Sequence, residues 1–183
     1  MVYDFVSFQK RKLTLFYQNF SQKDTEWASG WYNGIICKGA DAMRLPQKYC
    51  IHATNHEPCR FAAKELGAYL TAISGCTPSG SGYPIVIQCS GENDSEAFRI
   101  CVTPEGTTLS SPSPRGCVYA VYAFLEEVVG CRFLAEDCEV LPPSCELQSW
   151  DRAYQPAFAY REVYFRGALD GRFALKRGLN SAR

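Results

Sequence analysis

Two segments of the chain carry apolar residues on a helical stripe, and short β-prone runs lie before, between and after them. In the first, Ala62, Leu66, Tyr69, Leu70 and Ile73 recur at helical spacing, with Asn55 as the N-cap candidate, Pro58 in the first turn and Gly75 at the C-terminal stop. In the second, Ser113 caps, Pro114 takes the first position, Val118, Val121, Tyr122, Leu125 and Val128 form the stripe, and Gly130 ends it. "KYCIHAT" reads as a strand feeding the first helix. "PIVIQC", "EAFRICVT" and "TTLSS" fill the interval as strands of one sheet, the last two joined by a hairpin at Pro104 to Gly106. "CRFLA", "EVLPP" and "CELQS" follow as short strands. A helix with one apolar face must bury it against another layer. The order β, α, β, β, β, α, β therefore predicts an α+β fold, a mixed β-sheet with two helices packed on one face.

At 183 residues the chain is long enough for one domain, or one domain plus a fragment. Hydrophobic residues make up 46% and charged residues 21%, the balance of a globular protein rather than a disordered one. Nineteen basic and nineteen acidic side chains cancel, so no overall field draws the chain to nucleic acid or to an anionic membrane. The basic run Gln9 to Lys12 is too short to change that and reads as a solvated face. No apolar run approaches the roughly 20 residues a membrane helix needs. The first residues lack the charge order and cleavage site of a signal peptide, which gives a cytoplasmic expectation. The ten cysteines contain no C-x-x-C pair, and several sit in apolar strand-like runs, so reduced and mostly buried thiols are expected.

Four constellations in the sequence bear on chemistry. Cys50, His52, His56 and Cys59 bring two thiols and the only two histidines into ten residues, the best metal-like cluster in the sequence. Their C-x-H-x3-H-x2-C spacing is not a standard zinc pattern, and a strand-to-helix junction with incidental polar residues is the simpler reading, so no metal and no cofactor are expected. Glu126 with Glu127, and Glu136, Asp137 and Glu139, are the paired acids that glycoside hydrolysis would need, but both groups fall at surface positions. No G-x-S-x-G nucleophile motif occurs, and "GTTLSSPSPRG" lacks a P-loop lysine. Residues 44–150 assemble no active site.

"RGCVYAVYAFLEEVVGCRFLAEDCEVLPP", Arg115 to Pro143, resembles the RG-x-x-YAVY-x-FLE…GCR-F segment of the accessory α/β domain that precedes the catalytic barrel in α-glucuronidase-like and β-hexosaminidase-like glycoside hydrolases. "RFAAKELGAYLTAISG" is similar to the first helix of that domain, and "EAFRICVTPEGTTLSS" to its strand pair. The nearest pattern is that of bacterial proteins of uncertain activity with this domain before a (β/α)8 barrel. "PAFAYREVYFRGALDGRF" is similar to the first barrel strand and the turn after it. The resemblance implies that Arg161 holds hydroxyls of a terminal sugar, that Asp170 is the acid after the strand, and that Tyr160 or Tyr164 supplies an aromatic face. Glu162 stands where the hexosaminidase pattern has glycine, and the spacing from Arg161 to Asp170 differs. The alternative role for Arg161 is pairing with an acid that joins the domain to the barrel.

These readings divide the chain into an N-terminal extension (1–43), an accessory α+β domain (44–150) and the start of a truncated barrel (151–183). Because the family's catalytic carboxylates lie on later barrel strands, the expected function is a non-catalytic accessory portion of a carbohydrate-active hydrolase, meeting carbohydrate through a barrel beyond this chain. The rival is a binding module that self-associates through an exposed aromatic C-terminal segment, giving a homo-oligomer.

Overall fold

The structure, a computed structural model, describes residues 43–164 and 166–180, all within one unit, Ala40–Arg183. Apart from Met43, the N-terminal extension lies outside the described residues, as does the basic run at Gln9 to Lys12. In chain order the elements are β1 (Met43–Arg44), β2 (Tyr49–Ala53), α1 (Glu57–Ser74), β3 (Tyr83–Cys89), β4 (Phe98–Thr103), β5 (Gly106–Ser111) and α2 (Pro114–Ala123). A π-helical turn (Phe124–Val129) continues α2, followed by β6 (Arg132–Ala135), β7 (Cys138–Val140), β8 (Glu146–Leu147), β9 (Trp150–Tyr154), a 3-10 turn (Arg166–Leu169) and α3 (Gly171–Lys176).

Five strands form one mixed sheet in the order β2-β3-β5-β4-β9. β2, β3 and β5 run parallel, whereas β4 is antiparallel to both β5 and β9. Alternation along the strands sorts the side chains. Ile85, Ile87 and Cys89 of β3 lie in register with Thr107, Leu109 and Ser111 of β5, and these six, with Tyr83, are buried on one face. Leu66 and Leu70 of α1 and Val121, Tyr122 and Leu125 of the α2 region cover that face and complete the core. On the opposite face Pro84, Val86, Gln88, Thr108 and Ser110 are half-buried or exposed. The architecture is α+β, a mixed sheet with its two long helices on one side. Among the described residues, no helix is long and apolar enough to cross a membrane.

Local chemistry sets the helix ends. The Ser113 hydroxyl accepts a hydrogen bond from the Gly116 N–H at 3.1 Å, and Pro114 opens α2 where its absent N–H costs nothing. At α1 the N-cap is His56, one residue beyond the expected Asn55: the His56 carbonyl accepts from Arg60 N–H at 3.0 Å. The Asn55 side chain instead accepts from the Arg60 guanidinium. Gly116 lets α2 approach the sheet, since a Cβ there would lie 2.0 Å from Ser111 Oγ and 3.1 Å from the Ala97 carbonyl. Gly130 closes the π turn at φ 96°, its N–H donating to Leu125 O at 3.0 Å.

The C-terminal part departs from expectation in two ways. Trp150–Tyr154, which straddles the expected boundary at 151, is the fifth strand of the sheet and pairs with β4 from Phe98↔Tyr154 to Val102↔Trp150. It is an edge strand whose residues are all half-buried or exposed, so its sequence lacks the apolar alternation that marks a strand. The strand expected from Pro156 does not form: residues 155–164 have no regular secondary structure. A strand needs a hydrogen-bonding neighbour, and β9 already occupies the free edge of β4.

Candidate functional site

Arg161 is the centre of a polar joint. Its Nη2 donates to Glu96 Oε2 at 2.5 Å, Nε to the Gly178 carbonyl at 2.7 Å and Nη1 to the Phe158 carbonyl at 2.8 Å. The guanidinium also lies 5.5 Å from the centroid of the Tyr119 ring. Asn180 closes the loop: its Oδ1 accepts from Arg161 N–H at 2.8 Å, and its Nδ2 donates to Glu96 Oε2 at 3.2 Å and to Ala159 O at 2.6 Å. The Tyr119 hydroxyl donates to Leu179 O at 2.9 Å. Burial and then the Glu96 carboxylate push that phenol upward, so it stays a donor. Glu96 enters from the loop before β4, and Tyr119 from α2.

Three further ion pairs have the same polarity. Arg172 Nη2 meets Glu65 of α1 at 2.7 Å, Lys176 meets Glu139 of β7, and Arg177 Nη1 meets Glu126 of the π turn at 2.9 Å. With Arg161–Glu96 these make four pairs in which the base belongs to residues 161–177 and the acid to residues 65–139. The acids are held by phenols too. Tyr122 donates to Glu65 at 2.9 Å and Tyr69 to Glu139 at 2.8 Å, and both phenols are pushed well above their ordinary range by burial and then by the carboxylate they meet. Tyr154 donates to Glu127 at 2.6 Å, and burial with that carboxylate raises it to about 12. Phe173 and Ala174 of α3 are buried beneath these contacts.

The sequence-derived candidates separate accordingly. Asp170 is the N-cap of α3, its Oδ1 accepting from Phe173 N–H at 2.8 Å. Tyr160 donates to Glu162, and Tyr160 and Tyr164 are 65% and 91% exposed. Glu126 and Glu127 line a cavity of about 320 Å³ together with Arg161, Tyr119 and Arg177, but Glu126 is engaged by Arg177 and Glu127 by the Tyr154 hydroxyl of β9. Glu136 and Asp137 are exposed in the β6–β7 turn. Cys50 and His52 project to the face of the sheet away from the helices, and His52 and His56 are exposed. Cys59 points the other way, into the core, so these four residues do not converge. A second concavity of about 530 Å³ lies where β4 and β9 meet, beside the stacked rings of Phe98 and Tyr154, 4.8 Å apart.

Arg161 was legible from sequence as a residue of interest, but its acid was not. Glu96 stands in a polar loop far from it in the chain, and no local spacing links the two. The same holds for Glu65, an acid on the stripe side of α1 that only its burial singles out.

No protein-family model matches the sequence, and no curated protein matches it. Solved structures do. The chain is similar to the GH20 β-N-acetylhexosaminidase from Streptomyces coelicolor, at 17% identity and a TM-score of 0.52. It is also similar to a mutant β-hexosaminidase from Streptomyces plicatus in complex with the product GlcNAc, at 17% identity and a TM-score of 0.50. Both matches cover 67% of this chain and 25% of the other, so the chain spans only a small part of these enzymes. A GH115 4-O-methyl-α-glucuronidase with specificity for decorated arabinogalactans matches at 13% identity and a TM-score of 0.47, over 66% of this chain and 19% of that one. What the two hexosaminidase likenesses establish is a shared α+β domain fold.

Proposed function

We propose that the chain is the non-catalytic accessory portion of a carbohydrate-active glycoside hydrolase, a domain that supports a (β/α)8 barrel in which the hydrolysis takes place. The observation that carries this reading is the set of four ion pairs of one polarity. They commit Glu65, Glu96, Glu126 and Glu139 to holding residues 161–180 rather than to flanking a scissile bond. The hexosaminidase likeness, confined to about a quarter of each enzyme, supports a domain that accompanies a catalytic unit. In this reading Arg161 is the joint between domain and barrel, because three of its donors are already taken. Of the four sugar-contact candidates, Tyr160 and Tyr164 are the ones with rings exposed to meet a sugar face. The purified chain, offered aryl glycosides and xylan-derived oligosaccharides, is expected to release no product above the blank. Turnover that disappears in Glu126→Gln or Glu127→Gln would overturn the proposal.

One observation favours a second reading. Phe158, Tyr160, Val163, Tyr164 and Leu169 expose 73%, 65%, 44%, 91% and 78% of their surface within a dozen residues, an apolar patch suited to a second copy of the chain. Concentration-dependent association in sedimentation equilibrium, lost in Phe158→Ser/Tyr164→Ser, would favour it. A monomer at every concentration would remove it.

A further inference from the structure

Three cysteines distant in the sequence meet at one point. Cys59 lies in the first turn of α1, Cys89 is the last residue of β3, and Cys117 lies in the first turn of α2. They are 0%, 8% and 0% exposed, and their sulfurs all lie within 4.8 Å of one another. Their existing contacts are weak: Cys117 Sγ donates to Gln88 O at 3.4 Å and Cys89 Sγ to Pro112 O at 3.8 Å.

We propose that Cys59, Cys89 and Cys117 form a buried three-sulfur site for a soft monovalent metal ion of the copper(I) class. The donor set decides the class. Among the described residues, no histidine, carboxylate or fourth cysteine joins the group. A structural zinc site takes four ligands, and a catalytic one keeps an open position to water, which this enclosed corner of the core does not offer. Soft thiolates with nothing harder beside them select copper(I).

The geometry is close to what such an ion requires. An ion at the centre of three sulfurs at the outer limit of their separation would stand about 2.8 Å from each, against about 2.3 Å for a typical metal–thiolate bond. Small rotations about the Cα–Cβ bonds close that gap. Two helix N-termini converge on the cluster, and their partial positive charge offsets part of the thiolate charge left on binding. As metal–sulfur bonds form, the thiol protons leave to solvent, and no electron is transferred. The bound ion ties both helices to the end of β3.

The test uses the full chain, stripped of metal under reducing, anaerobic conditions and titrated with copper(I) against a competing chelator. One copper per chain is expected, with an X-ray absorption spectrum showing three sulfurs and no nitrogen around the metal. Each of Cys59→Ala, Cys89→Ala and Cys117→Ala should weaken retention at least about tenfold. Cys76→Ser and Cys138→Ser, outside the cluster, should leave it unchanged. Where an alanine variant loses its folded circular dichroism, the wild-type absorption spectrum decides by itself. Failure to hold copper against the chelator, a first shell containing nitrogen, or full retention in Cys117→Ala would each overturn the site.

Discussion

Glu96 and Arg161, 65 residues apart in sequence, meet at 2.5 Å with side chains only 14% and 18% exposed. Neither belongs to a helix or strand, so this pair and the hydrogen bonds around it help fix the irregular stretch after β9, before the contacts of α3 take over. A charge-assisted contact sheltered from water resists salt better than the pairs at the rim, such as Arg99–Asp151, whose partners are both more than half exposed.

Glu65 should matter more than the arginine it holds. Its side chain is 10% exposed and accepts from both Tyr122 and Arg172, whereas Arg172 is 67% exposed. Glu65→Ala leaves the Tyr122 hydroxyl buried without its acceptor and is expected to cost about 2 kcal/mol. Arg172→Ala loses a solvent-screened contact and should cost less than about 1 kcal/mol. Urea denaturation of both variants checks the order, and equal losses would contradict it.

Gly116→Ala should destabilise the fold by about 1 to 3 kcal/mol, because its new Cβ would meet Ser111 Oγ at 2.0 Å. That hydroxyl donates to Ala97 O at 2.7 Å and accepts from Ser113 N–H at 3.2 Å, so it cannot move without cost. In the Ser111→Ala background the same substitution should cost less, since the clashing atom is gone. Additive losses in this double-mutant cycle would show that the close approach is not what Gly116 provides.

Alkaline pH should weaken the folded state. Tyr154 is raised from the ordinary 10.0 to about 12 by burial and Glu127, and the thiols of Cys131 and Cys145 rise from 9.0 to about 12, chiefly by burial. Tyr69 and Tyr122 shift in the same direction. These groups are neutral when protonated, and the folded chain holds their protons more tightly than the unfolded one. Their contribution is therefore complete below about pH 9 and is lost as pH rises through 9 to 12. The urea midpoint should fall across that window, and Tyr154→Phe should fall less steeply. A flat profile would contradict the assignment.

The parts of the fold written locally were legible. The stripe from Ala62 to Ile73, the Ser113–Pro114 start and the Gly75 and Gly130 stops each depend on residues within a turn or two of one another. Likewise "PIVIQC" reads as an interior strand because burial on one face and partial cover on the other leave little room for polar residues. β9 was not legible, since an edge strand exposed to water needs no apolar pattern and depends on the free side of β4. Among candidate residues, Arg161 was found and its partner was not, and the thiols of Cys59, Cys89 and Cys117 meet only because α1 and α2 both start at the same end of the sheet. Contacts made by topology leave no spacing to read.

Residues 158–164 and 166–180 belong to the folded domain, as a joint held by Glu96. Hydrogen exchange followed by mass spectrometry tests it directly. In the wild-type chain the amides of Arg161, Leu179 and Asn180, which donate to Asn180 Oδ1, Ala174 O and Arg161 O, should be protected. Glu96→Ala should accelerate exchange in 158–164 and 178–180 at least about tenfold while leaving β3 and β5 unchanged. Exchange of those segments at free-peptide rates in the wild-type chain would show that Glu96 does not hold them.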